Sequence, residues 1–541
     1  MSWALKEKYR ALLSREEGHY RKVWGKSLHV CLAYPHAYNT GMSNLGFQTV
    51  YDLFNRHPAC LCERVFMPGP EEEQEFNKDG QRLFSLESQR PLADFDVVAF
   101  SLSFENDYPN ILKILELGGI ALSSKERGET APLILGGGIA ATLNPEPLAD
   151  FFDLFLLGEA EEVIGPFSDL CAGALSSGMA KELLLLRLQR EITGAYVPRF
   201  YQVTYQANGQ IAARLPLQAG LPEKIKKARL GDIDSCLTEQ CITVAAAELG
   251  GMFLVEVSRG CGRGCRFCAA GYACRPARFR QAALLQGAFR QALADGHKKI
   301  GLLGTAVSDH PDLLALCRFI RAEGGEVAIG SLRLDKVEPE LVRQLKEGGA
   351  ETLSLAPEAG SQRLRDLIAK GIKEDQIFRA VDVLGSAGIT HIRLYFMIGL
   401  PTEADEDLEA LIELTKRIKD WGGARPFKRI TVSVNQFIPK AGTPFQRFPL
   451  AHTEEVKRKL RRVATALRPE PTIRLIHDLP KWNYIQALLS LGDRRVGEIL
   501  LALHHAGGNW SQAFAAAPVD PGFYVYRVKA EAEILPWDFI D

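Results

Sequence analysis

The sequence predicts an α/β chain built on two successive parallel sheets, and three observations carry that prediction. Short apolar runs alternate with helical segments over about 27–165 and again over 250–437, the pattern of strands covered on both faces by crossover helices. The stretch between them, 170–245, is less regular and separates the two. APLILGGG (131–138) runs straight from strand into glycines, and ligands of parallel sheets bind at such carboxyl ends.

Residues 1–26 read as an amphipathic N-terminal helix. Over 27–170, SLHVCLAY (27–34), ERVFMP (63–68), DFDVVAFSLSF (94–104), APLILGGG and DLFLLGEAEE (153–162) are strands, while 44–56 and 108–122 carry helical apolar spacing, giving a Rossmann-like domain. Residues 171–247 read as a linker with a small β hairpin turning at Asn208-Gly209. Over 248–446 six strands recur (252–258, 298–304, 326–332, 351–356, 391–399 and 429–437), each but the last followed by a helix, the last helix reaching 422. Six βα units make a partial (β/α)6 TIM-like barrel with its site at the strands' carboxyl ends. Residues 447–541 read as mainly helical, with a strand-like TIRLIHD (472–478).

Composition narrows the function classes. The 541 residues are 46 % apolar and 24 % charged, with 65 basic against 66 acidic side chains and a formal charge of −1. That balance exerts no global pull on nucleic acid or membrane, and no dedicated nucleic-acid module is visible. The N-terminus is charged throughout, unlike a signal peptide, and no apolar run is long enough to span a bilayer, so a cytoplasmic protein is expected. Eleven cysteines then argue against a disulfide framework. Most are scattered and read as small core residues.

Three are not scattered. The loop VSRGCGRGCRFCAAGYACRP (257–276) sets Cys261, Cys265 and Cys268 in Cys-x3-Cys-x2-Cys spacing directly after the first barrel strand. Thiolates so placed can wrap one metal centre, and a centre held by three protein ligands keeps a position open, as catalysis needs. Glycines 260, 262 and 264 let the loop bend and offer N–H groups to cluster sulfides. The competing reading is a structural zinc with Cys274 as fourth ligand; its x5 spacing from Cys268 makes a poor knuckle. Cys274 is otherwise a bystander, a substrate-side thiol or a proton donor.

The loop, with Phe267 before its last cysteine, resembles the signature of the radical S-adenosylmethionine (SAM) superfamily. The resemblance implies a 4Fe–4S cluster on Cys261, Cys265 and Cys268, with SAM chelating the open iron. It also implies SAM contacts from Phe267 beside the adenine, Gly304 and Thr305 in LLGTAVSD (302–309), Arg333 in SLRLD (331–335), Glu358 in LAPEAGSQRLRDLIAKG (355–371) and Gly399 in YFMIGLPTEADEDL (395–408). The implied reaction is reductive cleavage of SAM to methionine and a 5′-deoxyadenosyl radical that abstracts hydrogen from a substrate. An electron donor such as flavodoxin or ferredoxin is implied with it.

Segments 33–56, 101–112, 134–153 and 156–162 resemble the cobalamin-binding domain of one radical SAM class, so the Rossmann-like sheet is of cobalamin-binding type. The implied contacts are Gly41, Ser101, Ser103, Gly136, Gly137, Gly138, Gly158 and Glu159. The Asp-x-His-x-x-Gly motif that ligates cobalt in cobalamin mutases is absent, and His36 reads as a loop histidine. Nearly the whole chain resembles an uncharacterised family of cobalamin-domain radical SAM proteins, through GMSNLGFQ, SLSFEN, SRGC, AVSDHP and the tail from LPKWNYIQ to PWDFID. The function implied is a cobalamin-dependent methyltransferase acting on an unactivated carbon. The alternatives are a cobalamin-independent radical SAM enzyme (rearrangement, cyclisation or RNA modification) and a non-catalytic Fe–S or zinc partner protein. Whether the substrate is a small molecule, a peptide or RNA is left open.

Other clusters read more plainly. Arg259, Arg263, Arg266, Arg275, Arg278 and Arg280 crowd the loop and read as offsetting the anionic cluster, pairing with barrel carboxylates and accepting a reductase, the other reading being a phosphate-bearing partner such as tRNA or rRNA. Lys440, after the last barrel strand, reads as a surface lysine, the alternative being one that faces the substrate. Asp493, Arg494 and Arg495 are candidates for a substrate pocket, and the helix bearing His504-His505 packs, with the barrel mouth as one place it can cover.

Overall fold

The structure is a computed structural model and describes residues 3–78, 80–244, 247–421 and 427–541. The first two residues of the expected N-terminal helix, two near the end of the expected linker, and the end of the last crossover lie outside these. The N-terminal helix occupies Trp3–Leu13.

The first sheet holds β1 (Leu28–Tyr34), β2 (Cys60–Phe66), β3 (Val97–Ser101), β4 (Leu133–Gly137), β5 (Leu154–Leu156) and β6 (Ala195–Tyr196). Their order across the sheet is β2-β1-β3-β4-β5-β6, parallel except for β6. This is the flavodoxin-like variant of a doubly wound sheet, whose switch point lies between β1 and β3. β1 and β3 are buried along nearly their whole length, which is why they read as apolar runs, while β2 is buried throughout even though it carries Glu63 and Arg64. The helix Leu45–Arg56 starts beside the switch point because Asn44 caps it, accepting from the Phe47 N–H at 2.9 Å.

The segment read as a linker from 171 is more ordered than its sequence suggests. The boundary at 170 falls inside the helix Ile164–Ser177, a second helix spans Lys181–Glu191, and β6 closes the first sheet. The hairpin around Asn208-Gly209 forms from β7 (Tyr201–Tyr205) and β8 (Ile211–Pro216).

The second unit holds β9 (Phe253–Arg259), β10 (Lys299–Gly304), β11 (Glu326–Ile329), β12 (Thr352–Glu358), β13 (His391–Ile398), β14 (Arg429–Gln436) and β15 (Ile473–Ile476). They pair parallel in chain order as two runs, joined by a parallel bridge between Leu332 and Leu355. The six expected βα strands are present as a partial barrel. TIRLIHD, placed in the C-terminal helical region by its sequence, joins it as a further parallel strand. Ile300, Leu302, Ile392, Leu394, Ile430 and Val432 pack outward into one core under the helices.

The C-terminal helices share a core with the first sheet. Ile485, Leu488, Ile499, Leu500 and Leu503 lie in the same apolar cluster as Val30, Val98 and Ile134. The helix Val496–His505 packs against Tyr108–Gly118 of the first unit rather than over the barrel mouth, and His504 Nε2 lies 3.2 Å from Glu116. No helix among the described residues is long and apolar enough to cross a membrane.

Candidate active site between the barrel mouth and the first sheet

The cysteine loop leaves β9 at Arg259 and ends at Cys268, which caps the short helix Ala269–Ala273. Its fold is held by the main chain. The Cys268 N–H donates to the Cys265 carbonyl at 3.2 Å, the Arg266 N–H to Ile368 at 2.9 Å, and the Phe445 N–H to Arg266 at 3.2 Å. The Arg263 N–H points at Cys261 Sγ, 3.4 Å away. Burial pushes the Cys265 thiol up while Lys370 and Arg333 pull it back; burial also raises Cys268, opposed by the Gly271 N–H. The loop thus sits among Arg333, Glu358 and Lys370. Among the described residues no three His, Cys, Asp or Glu side chains converge as on a single ion. A cluster that gives each thiolate its own iron asks for no such convergence.

The other strand ends surround this loop. Glu358 closes β12 at a register shift in the β12–β13 pairing, holds φ of +67°, and accepts from Lys370 Nζ at 2.9 Å. Positive φ in a glutamate is a cost of order 1–3 kcal/mol that the surroundings must impose. Arg333 pairs with Asp335 at 3.0 Å, and its N–H donates to Ser308 Oγ at 3.1 Å. Arg263 bridges Asp309 at 2.7 Å and Asp335 at 3.4 Å. Phe267 packs on an apolar patch with Leu364, Ile368, Leu400, Phe437 and Phe445. Gly399 follows β13, its N–H donating to Glu403 at 3.0 Å. Gly304 ends β10 exposed; a Cβ there would stand 2.4 Å from Ser258 Oγ and 2.7 Å from the Ser258 carbonyl. Ser258 Oγ is buried without a hydrogen-bond partner.

A cavity of about 1050 Å³ opens between the two units. From the first sheet it is lined by Asn44, Ser101, Ser103 and the run Gly136 to Gly138; from the barrel by Cys274, Arg275, Gly304 and Thr305. The volume exceeds that of ordinary small-ligand pockets. Asn44 Nδ2 donates to Ser103 Oγ at 3.1 Å across the switch point. Gly41 is not part of this wall; it is buried against Phe66 and Tyr34. Gly158 lines it, but its φ of +109° and close approach to the Ala228 backbone belong to packing of the 226–229 segment. Glu159 is engaged by Arg259 at 3.1 Å and by Arg278. His36 is exposed, and no histidine among the described residues lines the cavity.

The arginines crowding the loop are mostly paired. Arg259 also meets Glu161 at 2.6 Å and Glu256 at 2.8 Å, and Arg280 meets Glu256 at 2.8 Å. Burial alone would raise Glu256, but hydrogen bonds from Arg259 and Arg280 hold it below its ordinary range. Arg266 and Arg275 donate to backbone carbonyls. Cys274 lies beside Glu159, Arg259 and Arg278, with burial raising its thiol first.

Two readings of the sequence need correction. Lys440 is not a surface lysine: Nζ donates to buried Glu105 at 2.6 Å and to Ser490 Oγ at 2.8 Å. Asp493 and Arg495 pair with each other at 2.6 Å, Asp493 also accepts from Tyr524, and Arg494 meets Glu146 at 3.0 Å, which makes them fastenings within the first unit's core. Asn44, Lys370 and the Lys440–Glu105 pair escaped the sequence reading; only the Asn44 capping position carried a local signal.

The radical SAM superfamily sequence model matches residues 255–415, the span from β9 to the helix Asp405–Trp421. A model of radical SAM protein N-terminal regions matches residues 46–198. An uncharacterized protein of Methanocaldococcus jannaschii is 30 % identical over 421 residues, covering 77 % of this chain and 82 % of its own length.

The chain belongs to the radical SAM superfamily.

Radical SAM enzymes use a 4Fe–4S cluster and SAM, and this chain is an enzyme of that superfamily. A threonylcarbamoyladenosine tRNA methylthiotransferase of Aquifex aeolicus is 26 % identical over 174 residues, 30 % of this chain and 42 % of that protein. Among solved structures, the radical SAM methyltransferase TsrM of Kitasatospora setae, with cobalamin and a 4Fe–4S cluster bound, superimposes with a TM-score of 0.50. The identity is 12 % over 78 % of this chain and 77 % of that one, a likeness of fold.

The residues present fit the cofactors of this radical SAM fold. Cysteine thiols are the donors an iron–sulfur cluster takes, and the unpartnered Ser258 Oγ and exposed Gly304 leave polar groups and space beside them. The interdomain cavity has the size, glycine-edged wall and hydroxyl groups that a large flat ligand needs.

Proposed function

We propose that this chain is a cobalamin-dependent radical SAM methyltransferase acting on an unactivated carbon. The observation that carries the reading is the shared cavity: one wall is the switch point of a flavodoxin-type sheet, the other the barrel rim at Cys274, Gly304 and Thr305. Cysteines 261, 265 and 268 would hold the cluster. Phe267 would lie beside the SAM adenine, and Gly304 and Thr305 would present backbone to its amino group. Arg333 and Glu358, fixed by Asp335 and Lys370, would orient its polar ends. Ser101, Ser103 and Gly136 to Gly138 would line the cobalamin face, without a histidine on cobalt. When bound, the cluster supplies the electron that cleaves SAM, and cobalamin carries the methyl group. The electron would come from a flavodoxin- or ferredoxin-type donor.

The test is anaerobic purification with iron, sulfide and cobalamin quantitation, followed by SAM turnover under dithionite. About four iron and about one cobalamin per chain are expected, with 5′-deoxyadenosine formed. Cluster and 5′-deoxyadenosine without cobalamin, even after reconstitution with hydroxocobalamin, would refute the methyltransferase and leave the cobalamin-independent reading.

A further inference from the structure

A second cavity, of about 280 Å³, lies toward the other end of the barrel, low on strands β12 to β15. It is lined by Thr352, His391, Arg393, Arg429, Thr431 and Arg474. Strand register assembles it. Thr352 pairs with His391 and His391 with Arg429, while Thr431 pairs with both Arg393 and Arg474. Ile392, Leu394, Ile430 and Val432 point outward into the helix-covered core, so the alternate residues face the lumen.

The amino-terminal floor of such a barrel is ordinarily filled by branched apolar side chains. Here it opens to solvent and carries exposed guanidinium groups from three strands beside a half-buried imidazole. Among the described residues none of the three arginines has a carboxylate partner, and the one side-chain bond they make is Arg393 to the Tyr395 hydroxyl at 3.5 Å. The nearby Glu351 is already bonded by Lys346 at 2.6 Å and Thr390 at 2.8 Å. Like charges gathered without counterions repel, so the arrangement is stabilised when an anion sits among them. Guanidinium forks match phosphate oxygens in pairs, and three positive charges suit a dianion better than one carboxylate.

We infer that this floor is a binding site for the phosphate group of a small phosphorylated molecule. The volume holds a phosphate group and a few attached atoms.

The test titrates cluster-loaded protein with inorganic phosphate by calorimetry, with acetate and a single-stranded RNA oligonucleotide as comparisons. Phosphate should bind with a Kd below about 1 mM, at least ten-fold tighter than acetate. The double variant R429Q/R474Q should weaken phosphate at least ten-fold while iron content and Tm stay at the wild-type level; R429K/R474K should retain part of the affinity. Iron-loaded protein that does not bind phosphate, or binds it equally well in R429Q/R474Q, overturns the inference and leaves the cluster reading intact. Protein that binds phosphate but takes up no iron has the reverse meaning. RNA that binds a hundred-fold tighter than phosphate, and loses that in R429Q/R474Q, overturns the small-molecule assignment.

Discussion

Replacing Lys440 by methionine should destabilise the protein strongly at neutral pH and progressively less as the solution is acidified. Glu105 is 5 % exposed and accepts from Lys440 Nζ at 2.6 Å, Ser490 Oγ at 2.8 Å and Gln486 Nε2 at 3.2 Å. Burial alone would raise this carboxyl, but the lysine's attraction reverses that and holds it below its ordinary value. Methionine keeps most of the lysine's apolar volume and leaves a buried carboxylate with two neutral donors. Breaking a buried pair from one side costs about 3–5 kcal/mol, which is roughly 6–20 °C in Tm for a cooperative unit of ~150–250 residues. In the native protein the pair's contribution is present above the carboxylate's unfolded pKa of ~4.3 and fades as pH falls through the lowered folded value. In K440M burial acts unopposed, so Glu105 takes up a proton earlier and the penalty shrinks with it. The gap in Tm between wild type and K440M, measured by calorimetry, should be widest near pH 8 and clearly narrower near pH 5. The double variant E105Q/K440M should regain most of the loss and show no such narrowing. A K440M variant within ~1 °C of wild type at pH 8, or one whose deficit is constant with pH, would refute the reasoning.

Single changes of Cys261, Cys265 or Cys268 to alanine should each abolish the brown chromophore and 5′-deoxyadenosine formation, read by iron assay and product analysis; a surviving chromophore rejects the ligand assignment. G304A places a Cβ 2.4 Å from Ser258 Oγ. It should lower Tm by an overpacking cost of about 1–3 kcal/mol and cut 5′-deoxyadenosine formation at least ten-fold, while wild-type turnover would remove Gly304 from the SAM site. Gly137 has an ordinary backbone φ and its Cβ would meet only the Leu156 carbonyl at 3.5 Å, so a larger side chain is accommodated on the cavity side. G137L should therefore keep its iron and lose bound cobalamin in the absorption spectrum; unchanged cobalamin loading would move that ligand elsewhere.

What the sequence made legible was whatever local pattern encodes. The six barrel strands were readable because Ile300, Leu302, Ile392 and Leu394 recur at strand spacing toward one apolar core. The cysteine loop stood out by its spacing, and the cluster reading of it came from the resemblance. What stayed hidden depends on distant partners. TIRLIHD gives only a four-residue strand, Ile473 to Ile476, and although Pro471 and Asp478 flank it, nothing local says that it pairs with β14 rather than standing apart among the C-terminal helices. Lys440 and Glu105 lie 335 residues apart, so neither position announces the pair. The helices after 480 carry ordinary apolar faces, and nothing local says that Ile499 and Leu503 complete the core of the first sheet. The arginine floor is invisible for the same reason: Arg393, Arg429 and Arg474 come from three strands, and only register brings them to one cavity.

The way the two units are joined follows from what lies between them. Each has its own apolar core, the first completed by the C-terminal helices and the second lying under the barrel helices. Charged pairs fasten the units beside the cavity, where Arg259 and Arg278 reach Glu159 and Arg259 reaches Glu161, and away from it, where Lys440 reaches Glu105. At the cavity itself an apolar seam would gain by closing on itself and would shrink the opening. Directional ion pairs hold a fixed separation instead, since shortening or lengthening them forfeits hydrogen bonds to buried charges. Arg259 is the last residue of β9, one step before the cysteine loop begins, and it grips the loop that follows β5 of the first sheet. The position of the cluster loop and the position of the first sheet's ligand wall are therefore set by the same side chain.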